Sequence, residues 1–98
     1  MLEEAASSIE RTGQHVVVCG ELDLATASQL ERALAELTGD VIVDCQDVSF
    51  LDSTALSVLV RAHNRLEAEQ GHLTIKGLSE RCRRVFEVSG VDQALHLS

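Results

Sequence analysis

The sequence predicts an α/β domain with a mostly parallel β-sheet that is packed with α-helices. Short β-branched runs alternate along the chain with stretches whose apolar residues recur every three or four positions, and the connections between them are short. The chain has 98 residues, 45% of them hydrophobic, and contains no proline, repeat or low-complexity stretch. Residues 1–98 are therefore predicted to form a single domain.

Three runs rich in β-branched residues predict buried strands. They cover residues 15–19, 41–45 and 72–76, and each is bounded by glycine or a turn pair. Residues 6–11 are a weaker candidate for a further strand. Because strands and helices alternate with short connections, we expect right-handed crossovers and mostly parallel pairing.

Apolar residues at helical spacing predict three helices between and after these strands. The first apolar stripe lies within residues 27–37, the second follows Ser53 and continues to Leu66, and the third begins at the cap Ser79 and ends at Gly90. Residues 91–98 have no clear pattern. On the second helix, the residues expected to face solvent are Arg61, Asn64, Arg65, Glu67 and Glu69.

Charge and composition exclude several classes of function. Sixteen acidic and eight basic side chains give a net charge of −8, which repels both a phosphate backbone and an anionic membrane surface. Aromatic residues make up only 2% of the chain, too few to form a platform for stacked bases. No apolar run approaches the roughly 20 residues of a membrane-spanning helix, and residues 1–13 do not resemble a secretory signal. We therefore expect a cytoplasmic protein with no nucleic-acid partner and no membrane insertion.

The cysteines and histidines predict neither a disulfide framework nor a metal site. The three cysteines include no CxxC pair, so reduced thiols are expected. A weaker hypothesis is a redox-sensitive pair of Cys45 and Cys82, since the arginines beside Cys82 would lower the pKa of its thiol. The four histidines lie on different predicted elements with no i,i+4 pair, so no metal and no cofactor are predicted.

Residues 44–66 are the most informative stretch. A predicted strand is followed by a short loop, and then Asp52-Ser53-Thr54 opens the second helix, where either Asp52 or Ser53 can act as the cap. The unpaired amides at this end favour an anion, so a phosphate on Ser53 would be tolerated, although the plainer interpretation is that Ser53 only caps. A triad of Ser53, His63 and Asp52 would lack a nucleophile elbow and a substrate pocket, so we do not expect an enzyme.

The segment VSFLDSTAL, residues 48–56, resembles the signature loop of STAS domains of the anti-sigma factor antagonist family. The sequence Gly20-Glu21-Leu22-Asp23 is similar to the motif that opens the first helix in that family, and residues 77–91 resemble its closing region. The resemblance covers nearly the whole chain. It implies a STAS-type fold, with a mixed, mostly parallel β-sheet of four to five strands packed with three to four α-helices. It also implies a bacterial regulator of transcription that works as a binding module.

The resemblance also implies a mechanism. The unphosphorylated chain would bind an anti-sigma factor that has serine kinase activity, releasing the sigma factor, and phosphorylation would end this binding until a phosphatase removed the phosphate. The serine that follows the signature aspartate is Ser53, with Thr54 as second choice. The implied partner surface consists of Asp23, Asp52, Ser53, Thr54 and Ala55.

Three questions stay open at this point: the roles of the two aspartates, the effect of Ala55, and the class of function. Asp23 and Asp52 are also explained as acids that stabilise the starts of helices. Ala55 stands where many family members have glycine, which puts the choice and the rate of the kinase in doubt. The second hypothesis for function is a STAS adapter subunit of an ATP-driven lipid or solute transporter, which would dock on an ATPase without being switched.

Overall fold

The computed structural model describes residues 7–98, which form a five-stranded sheet and three α-helices. The sheet has the order β1-β2-β3-β4-β5, with β1 antiparallel to β2 and each of the other neighbouring pairs parallel. The predicted α/β class with a mixed, mostly parallel sheet is confirmed. The elements are β1 Ser8–Thr12, β2 His15–Leu22, α1 Leu24–Ala35, β3 Asp40–Leu51, α2 Ser53–Ala68, β4 His72–Lys76, α3 Glu80–Ser89, a 3₁₀ turn Val91–Gln93 and β5 His96–Leu97.

The core lies between the helices and one face of the sheet. Because side chains alternate along a strand, Val16, Val43 and Ile75 all point to this face, where they are fully buried. They join Leu30 of α1 and Phe86 of α3 in a single apolar cluster. The residues between them on the strands point the other way and are half-buried or exposed. The helices therefore cover one face of the sheet and leave the other open.

Strands β2 and β3 are longer than the sequence predicted. The predicted strands end at Cys19 and Cys45, whereas β2 continues to Leu22 and β3 to Leu51. Phe50, predicted to lie in a loop, is therefore part of β3. The register between the two strands shifts twice along their length, and such bulges break the alternation of apolar and polar residues by which a strand is recognised.

The two ends of the described chain add edge strands to the sheet. The weakly predicted strand at residues 6–11 corresponds to β1, although Ala6 lies outside the described residues. The unassigned segment 91–98 forms the 3₁₀ turn and β5, in which His96 pairs with Thr74 of β4. A two-residue strand is too short to show a period in the sequence.

The three helices lie close to their predicted positions, and Ser79 caps α3 as expected. Arg65 was predicted to face solvent but is half-buried. Its Nη2 donates hydrogen bonds to the carbonyl oxygens of Leu34, at 2.8 Å, and Leu37, at 3.1 Å, which lie at the end of α1. A cation is favoured at this negative end of a helix dipole. Within residues 7–98, no helix combines the length and the apolar composition required to cross a membrane.

Candidate functional site

The candidate site lies at the edge of the sheet where β2 and β3 end and where α1 and α2 begin. Leu22 and Leu51, the last residues of the two strands, are paired in register. The amide of Asp52 then donates a hydrogen bond to the carbonyl oxygen of Leu22 at 3.1 Å. Because parallel strands end at the same edge, the starts of the two helices lie side by side. This arrangement brings Asp23 and Ser53 to one edge, which we call the switch edge.

Asp52 is the residue that caps α2. Its backbone is extended, its Oδ1 accepts a hydrogen bond from the amide of Ala55 at 3.1 Å, and its carbonyl oxygen accepts one from the amide of Leu56 at 3.1 Å. Ser53 is the first residue of the helix and is exposed. The interpretation that Ser53 merely caps is therefore wrong, and its hydroxyl is not needed to hold the helix start.

Asp23 caps α1 in the same way. Its Oδ1 accepts hydrogen bonds from the amides of Ala25, at 3.0 Å, and Thr26, at 3.2 Å, while Thr26 Oγ1 accepts one from the Asp23 amide at 3.0 Å. This reciprocal arrangement is a capping box. Within residues 7–98 the Asp23 carboxylate makes no hydrogen bond to Ser53. Its contacts are those of a helix-start acid, and its contact with a partner stays a prediction.

The two residues after Ser53 are less accessible. Thr54 is half-buried, so the structure favours Ser53 over Thr54 as a group that an outside enzyme can reach. Ala55 is 0% exposed, and its methyl group packs in the core. The sequence placed Ala55 in the partner surface, and this is corrected: a fully buried side chain contacts the core and not a partner. Its methyl group fills space that a glycine would leave empty.

Two large apolar side chains are exposed at the switch edge. Leu24, the first residue of α1, is 75% exposed, and Phe50, one residue before the end of β3, is 49% exposed. Exposed apolar side chains of this size are available for contact with a protein partner, which would cover them. Sequence reasoning missed Leu24 because it continues the apolar stripe of α1, so its spacing predicts burial.

Ser53 also borders a groove of about 430 Å³. The groove runs along α2 past Val60 to Arg61, and Val91 from the 3₁₀ turn forms its other side. Arg61 Nη2 lies 3.3 Å from Oε2 of Glu31, so the cation at this end of the groove is paired. The lining is mostly apolar with the hydroxyl of Ser53 at one end, which suits an apolar segment of a partner better than a charged one.

The cysteines do not have the environment of a redox pair. Cys45 and Cys82 are both buried, and the Cys82 thiol points to the carbonyl oxygen of Val48 at 3.8 Å. Burial, together with the neighbouring Cys82 and Asp44, raises the pKa of Cys45 to about 12. Since the thiolate is the reactive form, this environment disfavours oxidation of Cys45, contrary to the redox hypothesis.

The histidines are closer together than the sequence suggested. His72 Nδ1 and His96 Nε2 lie 3.0 Å and 3.2 Å from the same oxygen, Oε2 of Glu67. These two hydrogen bonds lower the pKa of the Glu67 carboxyl. His63 lies beside them, so folding brings three histidines from separate elements to one place, although no two of them are i,i+4 neighbours in the sequence. Glu67 follows Ser53 by 14 positions on α2, about 20 Å along the helix.

Comparison with known proteins gives consistent matches along nearly the whole chain. Residues 6–97 match a protein family described as "Mlab, STAS domain". The anti-sigma-B factor antagonist of Staphylococcus aureus (strain NCTC 8325 / PS 47) is 35% identical over 99 residues, covering 93% of this chain and 92% of the relative.

Solved structures agree with this match. An anti-sigma factor antagonist from Mycobacterium paratuberculosis is 26% identical with a TM-score of 0.75, covering 94% of this chain and 83% of that one. The Bacillus cell fate determinant SpoIIAA, in its phosphorylated form, is 25% identical with a TM-score of 0.68, covering 95% and 91%. The chain therefore spans most of the length of each of these three proteins.

Proposed function

We propose, given that the chain belongs to the STAS domain family, that it acts as an anti-sigma factor antagonist whose binding is switched off by phosphorylation of Ser53. The observation that carries this proposal is the position of Ser53, which is the exposed first residue of α2 while Asp52 caps the helix. Its hydroxyl can therefore be modified without loss of the cap. The similar proteins support the same proposal. The relative from Staphylococcus aureus is named an anti-sigma-B factor antagonist, and the structure of SpoIIAA has been solved in a phosphorylated form.

The start of α2 is a favourable place for a phosphate. The first amides of a helix have no partner within the helix, and the helix dipole is positive at this end. Of the amides in the first turn, that of Ala55 donates to Asp52, whereas those of Ser53 and Thr54 donate to no group within residues 7–98. A phosphate on Ser53 is therefore stabilised locally, and the domain is expected to stay folded when it is modified.

The unphosphorylated switch edge suits a partner with an apolar patch and a basic face. Leu24 and Phe50 offer apolar side chains, and the groove beside Ser53 offers an apolar cleft. The net charge of −8 favours a positively charged partner surface and speeds association with it. We therefore expect the affinity for the anti-sigma factor to fall as the salt concentration rises.

Phosphorylation ends binding through charge and desolvation. A phosphate adds about −1.5 to −2 charges at neutral pH. At the centre of a docked surface that charge would be buried against the apolar part of the groove. Removing this charge from water against the partner's apolar patch costs several kcal/mol, so no rearrangement of the antagonist is required to release the partner.

The kinase activity belongs to the partner in this proposal. The Ser53 oxygen attacks the γ-phosphorus of ATP bound by the anti-sigma factor, the bond to the β-phosphate breaks, ADP leaves, and a base of the kinase takes the hydroxyl proton. A phosphatase then transfers the phosphoryl group to water and restores the hydroxyl. The chain described here is a substrate and a binding module in both steps.

The transporter-adapter hypothesis has less support. The curated relative that covers nearly the whole chain is named an anti-sigma-B factor antagonist. An adapter that is not switched also has no need of an exposed serine beside a capping aspartate. The two functions make different predictions for Ser53, because only the antagonist is modified there.

The experiment is an intact-mass measurement after incubation with ATP and each candidate serine-kinase anti-sigma factor from the same organism. Ser53→Ala is the test variant, and Ser57→Ala is the matched control, since Ser57 is exposed one turn later on α2 and borders the same groove. The parent and Ser57→Ala should each gain one phosphate, and Ser53→Ala none. Equal phosphorylation of Ser53→Ala, or no modification of the parent by any candidate, would overturn the proposal.

A further inference from the structure

A second group of polar side chains lies at the far end of α2 from Ser53. We call it the histidine cluster, and it consists of His63 and Glu67 on α2, His72 at the start of β4 and His96 at the start of β5. His63 and Glu67 are four residues apart on the helix, so they lie on the same face one turn apart. The cluster joins three elements that are distant in the sequence, and the switch edge uses none of its members.

The donor atoms of the cluster lie close together. One donor atom from each of His63, Glu67 and His96 lies within 4.8 Å of the other two. His72 Nδ1 is 3.0 Å from Glu67 Oε2, and the ring centre of His72 is 5.6 Å from that of His96. Two imidazoles thus converge on one carboxylate oxygen, with a third beside them.

His63 is the member that a structural role explains least. It is only 8% exposed, and its Nδ1 is buried without a hydrogen-bond partner among the described residues. A buried polar atom without a partner costs stability, so such atoms are rare in folded proteins. Its ring lies edge-on to that of His96, with 5.5 Å between the ring centres. The buried His63 ring therefore lies beside His96 while its Nδ1 makes no hydrogen bond among the described residues.

We propose that the histidine cluster binds a divalent transition-metal ion of the zinc class, with His63, Glu67 and His96 as ligands and His72 as a fourth ligand or as the residue that orients Glu67. Imidazole nitrogen with one carboxylate oxygen is a donor set that suits zinc, cobalt, nickel and copper rather than magnesium or calcium. Zinc holds such donors at about 2.0–2.2 Å, which places neighbouring ligand atoms about 3.4 Å apart. The present separations are within 4.8 Å, and the side chains of Glu67 and His96 are exposed, so they have room to adjust towards that value.

Metal binding would link β5 to the body of the domain. Strand β5 has only two residues and pairs with β4 at the edge of the sheet, so few contacts hold it. A metal bound by His96 on β5 and by His63 on α2 would link that strand directly to a core helix. The expected result is a more stable domain, because a ligand that binds only the folded state raises the free energy of unfolding.

The test uses the complete chain without a histidine tag, stripped of metal with a chelator and titrated with zinc chloride. Calorimetry should show one ion per chain, and saturating zinc should raise Tm by about 5 °C or more. His96→Asn and Glu67→Gln, both at exposed positions, should each weaken zinc binding about tenfold or more. His15→Asn is the control, because His15 lies on β2 outside the cluster and should leave zinc binding unchanged.

The visible absorption spectrum of the cobalt complex distinguishes binding at the histidine cluster from binding by the cysteine thiolates. The cobalt complex should show the visible bands of a tetrahedral nitrogen and oxygen site, with no thiolate charge-transfer band. The proposal is overturned if the parent shows no saturable binding at micromolar zinc, if His15→Asn weakens binding as much as His96→Asn and Glu67→Gln, or if a thiolate band appears. Circular dichroism of each metal-free variant establishes that it is folded, and the two exposed positions provide independent tests. Because Ser53 takes no part, the outcome is separate from that of the proposed switch.

Discussion

The amide of Asp52 donates a hydrogen bond to the carbonyl oxygen of Leu22 at 3.1 Å, which fixes the start of α2 to the end of β2. The same aspartate caps α2 through its carboxylate. One residue therefore aligns the helix with the sheet by its backbone and begins the helix by its side chain. Ser53, the next residue, neither caps the helix nor makes this contact with β2, so its hydroxyl is available at the surface.

Replacing Asp52 separates its capping role from its charge. Asp52→Ala should lower the free energy of unfolding by about 1 kcal/mol, because the amide of Ala55 loses its acceptor. Asp52→Asn keeps an oxygen that can cap and should lose less than about 0.5 kcal/mol. Denaturant unfolding of the two variants and the parent measures this, and equal stabilities for Asp52→Ala and the parent would show that the cap does not hold α2.

Leu24 and Phe50 should contribute to binding and not to stability. Each is exposed at the switch edge, so Leu24→Ala and Phe50→Ala should leave the fold intact and weaken binding of the anti-sigma factor about tenfold or more. The matched control is Ile42→Ala, since Ile42 is a partly exposed apolar residue of β3 on the open face of the sheet. Titration calorimetry gives the affinities, and equal losses in all three variants would contradict a specific surface at this edge.

Arg65 should stabilise the domain far more than Arg61, although both are arginines of α2. Arg65→Ala removes two hydrogen bonds to the end of α1 from a half-buried side chain, which predicts a loss of about 2 kcal/mol. Arg61→Ala breaks an exposed pair with Glu31 and should cost less than about 0.5 kcal/mol. Urea unfolding of both variants tests this difference, and similar midpoints would show that the Arg65 contacts are not formed in solution.

Cys45 should make the domain sensitive to alkali. Its pKa rises from 9.0 to about 12 because burial disfavours the thiolate. The folded state therefore holds the proton more tightly than the unfolded state, so stability is complete below pH 9 and falls as the pH rises from 9 towards 12. The expected loss is roughly 1 kcal/mol for each pH unit in that window.

Cys45→Ala provides the comparison for this effect, because it removes the thiol and should flatten the pH profile of unfolding. The chain has no tyrosine, so no phenol titrates in the same range. Thiol labelling of the native protein at neutral pH should likewise spare Cys45. Rapid labelling of Cys45, or identical alkaline profiles for the parent and Cys45→Ala, would contradict the buried, protonated state.

The fold was predictable where each element carries a strong period. The β-branched runs within β2, β3 and β4 and the apolar stripes of α1 and α2 gave the α/β class and the parallel pairing. The second half of β3 was missed because Gln46 and Asp47 are consecutive exposed residues within the strand, where the register with β2 shifts. Local pattern cannot identify a strand whose alternation is broken by a bulge.

The functional residues were predictable only in part, because the sequence did not decide which residue caps α2 and did not show which histidines lie together in the fold. Asp52 and Ser53 are both good caps, so the sequence alone did not decide which residue caps and which is free. The histidine cluster was missed because His63 and His96 are 33 positions apart and meet only through β5. Spacing reveals neighbours on one helix, whereas a site formed by several elements requires the fold.

The most direct test of the account is the affinity of the anti-sigma factor for the chain with and without a phosphate on Ser53. The enzymatically phosphorylated protein, separated from the unmodified protein and verified by intact mass, is compared in the same titration together with Ser57→Ala as a control. We predict that the unmodified protein and Ser57→Ala bind equally well, and that the phosphate weakens binding about 100-fold or more. Equal affinities for the phosphorylated and unphosphorylated protein would contradict the claim that Ser53 is the switch.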